Sequence, residues 1–284
     1  MTLPIIGTLA CLVLAAFTGG LLGGIDRRLT ARLQSRQGPP ILQPFLDVAK
    51  LLGKTPSVTN AWIVPCAILT LASTAVALAI LLRGGDLLLI LFVLAAGAVF
   101  QTAGALCVPS PYSHLGAHRE LLLMLVHEPI LILVFTGIAM CTGSFSVADV
   151  FREQAPLLPR MPLCFLALGY ALTIRLRKSP FDFAASPHAH QELVRGLLTE
   201  YAGPYLALLE IAHWLETVLL LGVCALLWHT SLLGMAMLAL GSFLAEILLD
   251  NATARLTWQW MVRRMSPLAV MGLALVNLLW LYVA

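Results

Sequence analysis

Eight apolar stretches, each close to the length that crosses a bilayer, constrain this chain more than any motif in it. A crossing helix needs about 20 apolar residues, because the hydrocarbon core is about 30 Å thick and each helical residue rises about 1.5 Å. Such stretches run over about 3–24, 61–82, 87–108, 119–141, 161–176, 203–228, 231–250 and 266–284. The fifth is short and the fourth carries charges. Within hydrocarbon only a helix or a closed barrel satisfies its own backbone polar groups, and long unbroken apolar runs indicate helices. Composition agrees. The 284 residues are 60% hydrophobic and 11% charged, against about 25% charged in soluble domains. The expected fold is an all-α polytopic membrane protein with about eight transmembrane helices, forming one integral membrane domain over 1–284. No internal repeat, low-complexity tract or soluble domain interrupts it.

The basic residues set an expected orientation, since cytoplasmic loops are enriched in Lys and Arg. Alternating the eight stretches places fourteen of the 17 basic residues on one side: Arg27, Arg28, Arg32, Arg36, Lys50, Lys54, Arg119, Arg175, Arg177, Lys178, Arg195, Arg255, Arg263 and Arg264. Only Arg83, Arg152 and Arg160 fall on the other. Both termini are therefore expected outside. The N-terminal run has no basic residue before it and no clear cleavage site, so it reads as an anchor and not a removed leader. The net charge of +3 follows this loop bias and calls for no nucleic-acid partner.

Between the first two stretches, RLQSRQGPPILQPFLDVAKLLGK predicts a cytoplasmic amphipathic helix over about 40–54, starting near Pro39–Pro40. Ile41, Leu42, Phe45, Leu46, Ala49 and Leu52 share one face, and Gln43, Asp47, Lys50 and Lys54 the other. Such a helix lies in the membrane interface. It serves either as a simple anchor or as a platform for a partner. The glycines Gly19, Gly20, Gly23 and Gly24 form two overlapping G-x-x-x-G patterns that let helices approach closely.

Ionisable residues inside apolar stretches are the strongest functional signal, because a charge at mid-bilayer costs about 3 kcal/mol or more. The fourth stretch carries Arg119, Glu120, His127 and Glu128, followed by Pro129. Glu120 and His127, seven apart, share a helix face. Arg119 is a candidate partner for a carboxylate. The sixth stretch carries Glu210, His213 and Glu216 at every third residue. Desolvation disfavours their charged forms, so such groups either pair statically, as Glu210 with His213 could, or exchange protons as a relay. Glu246 and Asp250 lie four apart on one face of the seventh stretch, with Arg255 available to Asp250. A charged cytoplasmic loop spans about 177–202 and reads KSPFDFAASPHAHQELVRGLLTEYAG over 178–203. It holds Asp182, Glu192 and Glu200 with His188 and His190, which titrate near physiological pH. The H-x-H pair lacks an obvious third metal ligand.

The six cysteines, Cys11, Cys66, Cys107, Cys141, Cys164 and Cys224, sit mostly in or beside apolar runs and form no C-x-x-C pair. Zinc or iron–sulfur spacing is missing. Any electron transfer is therefore expected on another subunit.

Four stretches together resemble one family: SRQGPPILQPFLDVAKLLGK (35–54), AHRELLLMLVHEP (117–129), SPFDFAASPHAHQELVRGLLTEYAG (179–203) and DNATARL (250–256). They look like the membrane subunit shared by respiratory complex I (its H subunit, or subunit 1) and the energy-converting membrane-bound [NiFe] hydrogenases. The third is the most specific. Where the complex I branch follows PFD with P-E-A-E, this chain reads AASPHAHQE, which looks like the hydrogenase branch, as does ALLEIAHWLE.

The resemblance implies eight spans in a prokaryotic cytoplasmic (inner) membrane. It implies a protein that anchors a peripheral arm and links it to antiporter-like proton- or sodium-translocating subunits. The cofactors, a [NiFe] centre and iron–sulfur clusters, would belong to partners (hydrogenase large and small subunits and iron–sulfur subunits), with none on this chain. The matching proton-path positions are Glu120, Glu128, Asp182, Glu192 and Glu200. The residues themselves add Glu210, Glu216, His188, His190 and His213. Arg36, Gln43, Asp47 and Lys50 would face the peripheral arm. Three other functions stay open: a quinone-site subunit of a complex I-like NADH or ferredoxin dehydrogenase, a non-conducting anchor, and a free-standing transporter.

Overall fold

The computed structural model describes residues 5–186, 192–260 and 267–283. Among these, ten helices follow in order: α1 (Ile5–Leu33), α2 (Gln43–Leu52), α3 (Ile63–Leu82), α4 (Leu87–Leu106), α5 (Pro111–Thr142), the single turn α6 (Val147–Val150), α7 (Pro162–Arg175), α8 (Pro204–Leu226), α9 (Leu232–Ala252) and α10 (Pro267–Val283). Gly196–Leu198 adds a 3₁₀ turn. Six helices are long and apolar enough to cross a membrane: α1, α3, α4, α5, α8 and α9. The helices α7 and α10 are apolar but shorter.

Local chemistry sets the helix ends. Asp86 caps α4, its carboxylate accepting from the Leu88 and Leu89 N–H groups at 2.8 and 3.1 Å. Ser110 caps α5 ahead of Pro111, and Gly143 ends it with φ +77°. The 32 residues of α5 make a rod of about 48 Å, longer than the hydrocarbon core is thick. Pro129 lies inside this helix. It has no N–H to give the carbonyl one turn back, which frees a polar group beside Glu128.

The bundle is held by pairs α3–α4, α3–α8, α4–α5, α5–α10, α1–α8, α5–α7 and α8–α9. The main core joins Leu87, Ile90, Ile130, Val134, Ile138, Cys164, Leu168, Leu219 and Leu226 from α4, α5, α7 and α8. The predicted close approach at the α1 glycines is present. Gly19 abuts the Trp214 backbone, Gly20 the Phe45 ring and Gly24 the Ile41 carbonyl. Here α1 grips both α8 and the segment leading into α2. The latter helix starts at Gln43, three residues after Pro40, with Pro44 in its first turn. Pro44 and Val48 are buried against the bundle, while Leu42, Leu46 and Leu52 stay exposed.

With 14 residues, α7 is about 21 Å long and too short for the hydrocarbon core. Its buried N-terminus is completed from another helix. Asn277 of α10, fully buried, accepts from the Leu163 and Cys164 N–H groups at 2.8 and 3.1 Å and donates to the Arg160 carbonyl at 3.1 Å. The other end of α7 delivers Arg175 into the bundle.

Two outcomes test this packing. Asn277→Leu strands two N–H groups at about 1–3 kcal/mol each, so the solubilised protein is expected to lose about 2–6 kcal/mol in thermal or denaturant unfolding. An unchanged midpoint would show the cap to be idle. Gly24→Ala places a methyl on the Ile41 carbonyl and is expected to detach the α2 segment, read as faster proteolysis between 34 and 54.

Candidate functional site

Six titratable side chains gather where α5, α7 and α8 meet. A cavity of about 40 Å³ is lined there by Glu120 and His127 of α5, Arg175 and Arg177 at the end of α7, and His213 and Glu216 of α8, with Thr70, Thr74 and Gln101 behind. That is room for at least one water. Arg175 Nε lies 3.0 Å from Glu216 Oε1, with both side chains at least 85% buried. His213 Nδ1 is 3.9 Å from Glu216 Oε2. His127, 2% exposed, donates from Nδ1 to the Leu123 carbonyl at 2.6 Å, which leaves Nε2 as a bare acceptor. Glu120 Oε2, Glu128 Oε1 and His127 Nε2 are buried with no protein hydrogen-bond partner. The cluster thus combines one fixed ion pair with several open lone pairs around a water-sized space.

A second cavity of about 410 Å³ lies beside it, walled by α1, the loop after α7, α8 and α9. Glu210, Trp214, Asp26, Lys178, Phe243 and Asp250 line it, and His213 and Arg177 belong to both cavities. Among its lining residues, Lys178 Nζ lies 2.6 Å from Asp26 and 3.5 Å from Asp250. Arg255 approaches Asp250 at 3.5 Å, and the Ser179 N–H donates to it at 2.8 Å.

The charged loop closes one end of the bundle. Arg119 bridges Asp182 at 2.9 Å and Glu192 at 2.8 Å, and its guanidinium lies 5.1 Å from the centre of the Trp258 ring. Burial pushes the Asp182 carboxyl up from its ordinary value, and the Arg119 guanidinium opposes that rise. Asp182 Oδ1 has no hydrogen-bond partner.

The other predicted positions spread out. Glu200 accepts from the Thr59 hydroxyl at 3.0 Å and lines neither cavity. Glu210 meets Arg195 at 3.7 Å, so the static pair considered with His213 is not formed; the imidazole turns to Glu216. Arg36 lines the larger cavity. In α2, Gln43 donates to Asp47 at 2.9 Å, and Arg27 pairs with Asp47 at 2.8 Å. Burial works to raise the Asp47 carboxyl, but the Arg27 and Gln43 contacts outweigh it and hold it below the usual range. Lys50 is exposed. His188 and His190 lie outside the described residues. Arg255 pairs with Asp250 as the spacing allowed. Sequence reasoning treats Arg175, Arg177 and Lys178 only as loop charges and gives Asp26 no role. Lys178 and Asp26 are 152 positions apart, so no local pattern could join them. Among the described residues no group of three or more His, Cys, Asp or Glu side chains is placed to hold a metal, and all six cysteines are unbridged.

This arrangement has relatives. The chain is 33% identical over 233 residues to hydrogenase-4 component C of Escherichia coli (strain K12), covering 76% of this chain and 72% of that one. It is 34% identical over 199 residues to formate hydrogenlyase subunit 4 of the same organism, 64% of each chain. It is 29% identical over 297 residues to the H subunit of the NADH-quinone oxidoreductase of Rubrobacter xylanophilus, 91% of this chain and 87% of that one. Its fold superposes on a chain in the structure of the membrane-bound sulfane sulfur reductase, an archaeal respiratory membrane complex. The TM-score is 0.81 at 25% identity, over 95% of this chain and 98% of the other. Residues 6–282 match the NADH dehydrogenase family model, and with these relatives along the same bundle the chain belongs to that family, the one that holds the membrane subunits of complex I and of the hydrogenases named above.

Proposed function

We propose that this chain is the membrane anchor and ion-coupling subunit of a hydrogenase-type oxidoreductase complex. The observation that carries the reading is the α5–α7–α8 cluster, in which Glu120, Glu128 and His127 keep open acceptor atoms beside the Arg175–Glu216 pair. A proton arriving at such an atom needs no partner to leave first, and a water in the small cavity can pass it between α5 and α8. Asp182 and Glu192, gathered by Arg119, form the loop end of the row, and Glu210 and His213 its branch to the larger cavity. Glu200 joins on the family resemblance alone, and His188 and His190 on the sequence of the loop alone.

In this reading α7 and α10 complete eight spans, both termini face outward, and the loop end faces the cytoplasm. The exposed Leu42, Leu46 and Leu52 rest α2 on the membrane surface. Arg36, Gln43, Asp47 and Lys50 then meet a peripheral arm whose large, small and iron–sulfur subunits carry a [NiFe] centre and the clusters. Antiporter-like subunits and the lipid bilayer flank the bundle. The similarity to hydrogenase-4 component C and formate hydrogenlyase subunit 4 supports the hydrogenase-type partners. A quinone-site role is the second reading. It is favoured by the relatives named as NADH-quinone oxidoreductase subunits and by a cavity of about 410 Å³, a size ordinary for small-molecule sites. Turnover that depends on added quinone and stops with a quinone-site inhibitor would select it.

Two predictions test the coupling. Glu120→Gln and Glu128→Gln are expected to leave the complex assembled and to cut coupled turnover about 10²-fold or more, the typical contribution of a positioned acid or base. Full turnover and ion translocation in both would make the chain a passive anchor. Arg175→Gln should behave differently. It strands the Glu216 carboxylate at about 3–5 kcal/mol, so loss of assembled complex is expected; a stable complex would show that the pair is not what holds α7 to α8.

A further inference from the structure

Of the 21 residues of α9, only Phe243, Glu246 and Ile247 are buried. Two are apolar and pack on Leu221 of α8. The third is a carboxylate, 3% exposed, at a position where an apolar side chain would satisfy packing without desolvating a charge. Its Oε1 lies 3.2 Å from Thr173 Oγ1 of α7, whose one hydroxyl hydrogen it shares with the Gly169 carbonyl at 2.9 Å. Its Oε2 has no hydrogen-bond partner. One helical turn away, Asp250 lines the 410 Å³ cavity, and Lys178 lies within electrostatic range of both carboxylates.

We propose that Glu246 is the proton-accepting end of a side branch that leaves the main row across the larger cavity. The proposal rests on the coupling role argued above and adds a residue and a route to it. Glu210 and His213 of α8 line that cavity together with Asp26, Lys178 and Asp250. The oxygens of Asp26 and Asp250 are already met. Asp26 takes Lys178 at 2.6 Å, and Asp250 takes Lys178, Arg255 and the Ser179 N–H. Glu246 has no such cation contact, so its Oε2 is the atom of this group with a lone pair to spare. Glu246 does not itself line the cavity, so the last step runs past Asp250, one turn on: a proton reaching Oε2 from a water there forms one O–H bond, turns the carboxylate into a carboxylic acid and moves no electron, and that water is made whole from the cavity. Thr173 Oγ1 stays within hydrogen-bond reach of Oε1 in both states, so the site changes charge without repacking.

The branch makes its prediction on the intact complex, rebuilt with variants of this chain. The quantity to read is the number of ions translocated per electron pair, which is independent of how much complex assembles. Glu246→Gln keeps the volume and an acceptor for Thr173 but cannot take a proton on Oε2, so a lower ratio is expected, with partial recovery in Glu246→Asp. A structural role alone would leave the ratio unchanged in Glu246→Gln, and that result overturns the proposal. Glu128→Gln runs beside it. Loss there with none in Glu246→Gln removes the branch only, whereas an unchanged ratio in both removes the coupling role itself. If Glu246→Gln does not assemble, redox-difference infrared spectroscopy of the wild-type complex and Thr173→Val decides. A protonated-carboxyl band that responds to redox change and shifts when the Thr173 hydroxyl is removed supports the branch; a spectrum identical in the two overturns it.

Discussion

The Arg175–Glu216 ion pair is the contact on which the interior of this bundle depends. A guanidinium and a carboxylate this far from water are tolerable only when each has the other, and their separation is 3.0 Å. The pair ties α7 to α8 and puts a fixed positive charge within electrostatic range of Glu120, His127 and Glu128. Three groups with open acceptor atoms thus share one anchored cation. Of the three, Glu120 and His127 line the cavity, and Glu128 lies on the same helix without reaching it.

That geometry follows from a short helix. A full-length α7 would carry its last turn out to the surface, and Arg175 would be an ordinary loop charge. At 14 residues it ends inside the bundle, and the chain leaves it as a polar segment that supplies Arg177 and Lys178 to the two cavities. The late start at the other end is made tolerable by Asn277, which reaches over from α10 to cap the buried N-terminus. The small residues of α1 also save space, letting α8 and the α2 segment close on the larger cavity.

Much of the fold is legible in the sequence because apolar runs bounded by turn residues leave little choice. The stretches expected over 61–82 and 87–108 are Ile63–Leu82 and Leu87–Leu106, separated by Gly84, Gly85 and the Asp86 cap. The start of α5 lies eight residues before the expected position 119, since His114, His118 and Arg119 interrupt its apolar pattern. The Ser110–Pro111 cap is the signal that marks it. The end of α1 lies beyond the expected stop at the glycines, because the helix runs on through Arg27 and Arg28 to Leu33. Within the site, helical periodicity joins Glu120 to His127 and His213 to Glu216. It gives no means of seeing that these two pairs share a cavity, or that Arg195 and not His213 meets Glu210.

The amino-acid order alone determined that the chain is a helical membrane bundle and which carboxylates and imidazoles it must hide, because hydrophobic length and the cost of a buried charge are properties of short segments. Which of those groups pair, which keep an open lone pair and which cavity each one faces were decided only in three dimensions. Asp26 with Lys178, Arg119 with Asp182 and Thr173 with Glu246 are brought together from 152, 63 and 73 positions apart. Contacts over such separations depend on how whole helices tilt and pack, and no local periodicity encodes that.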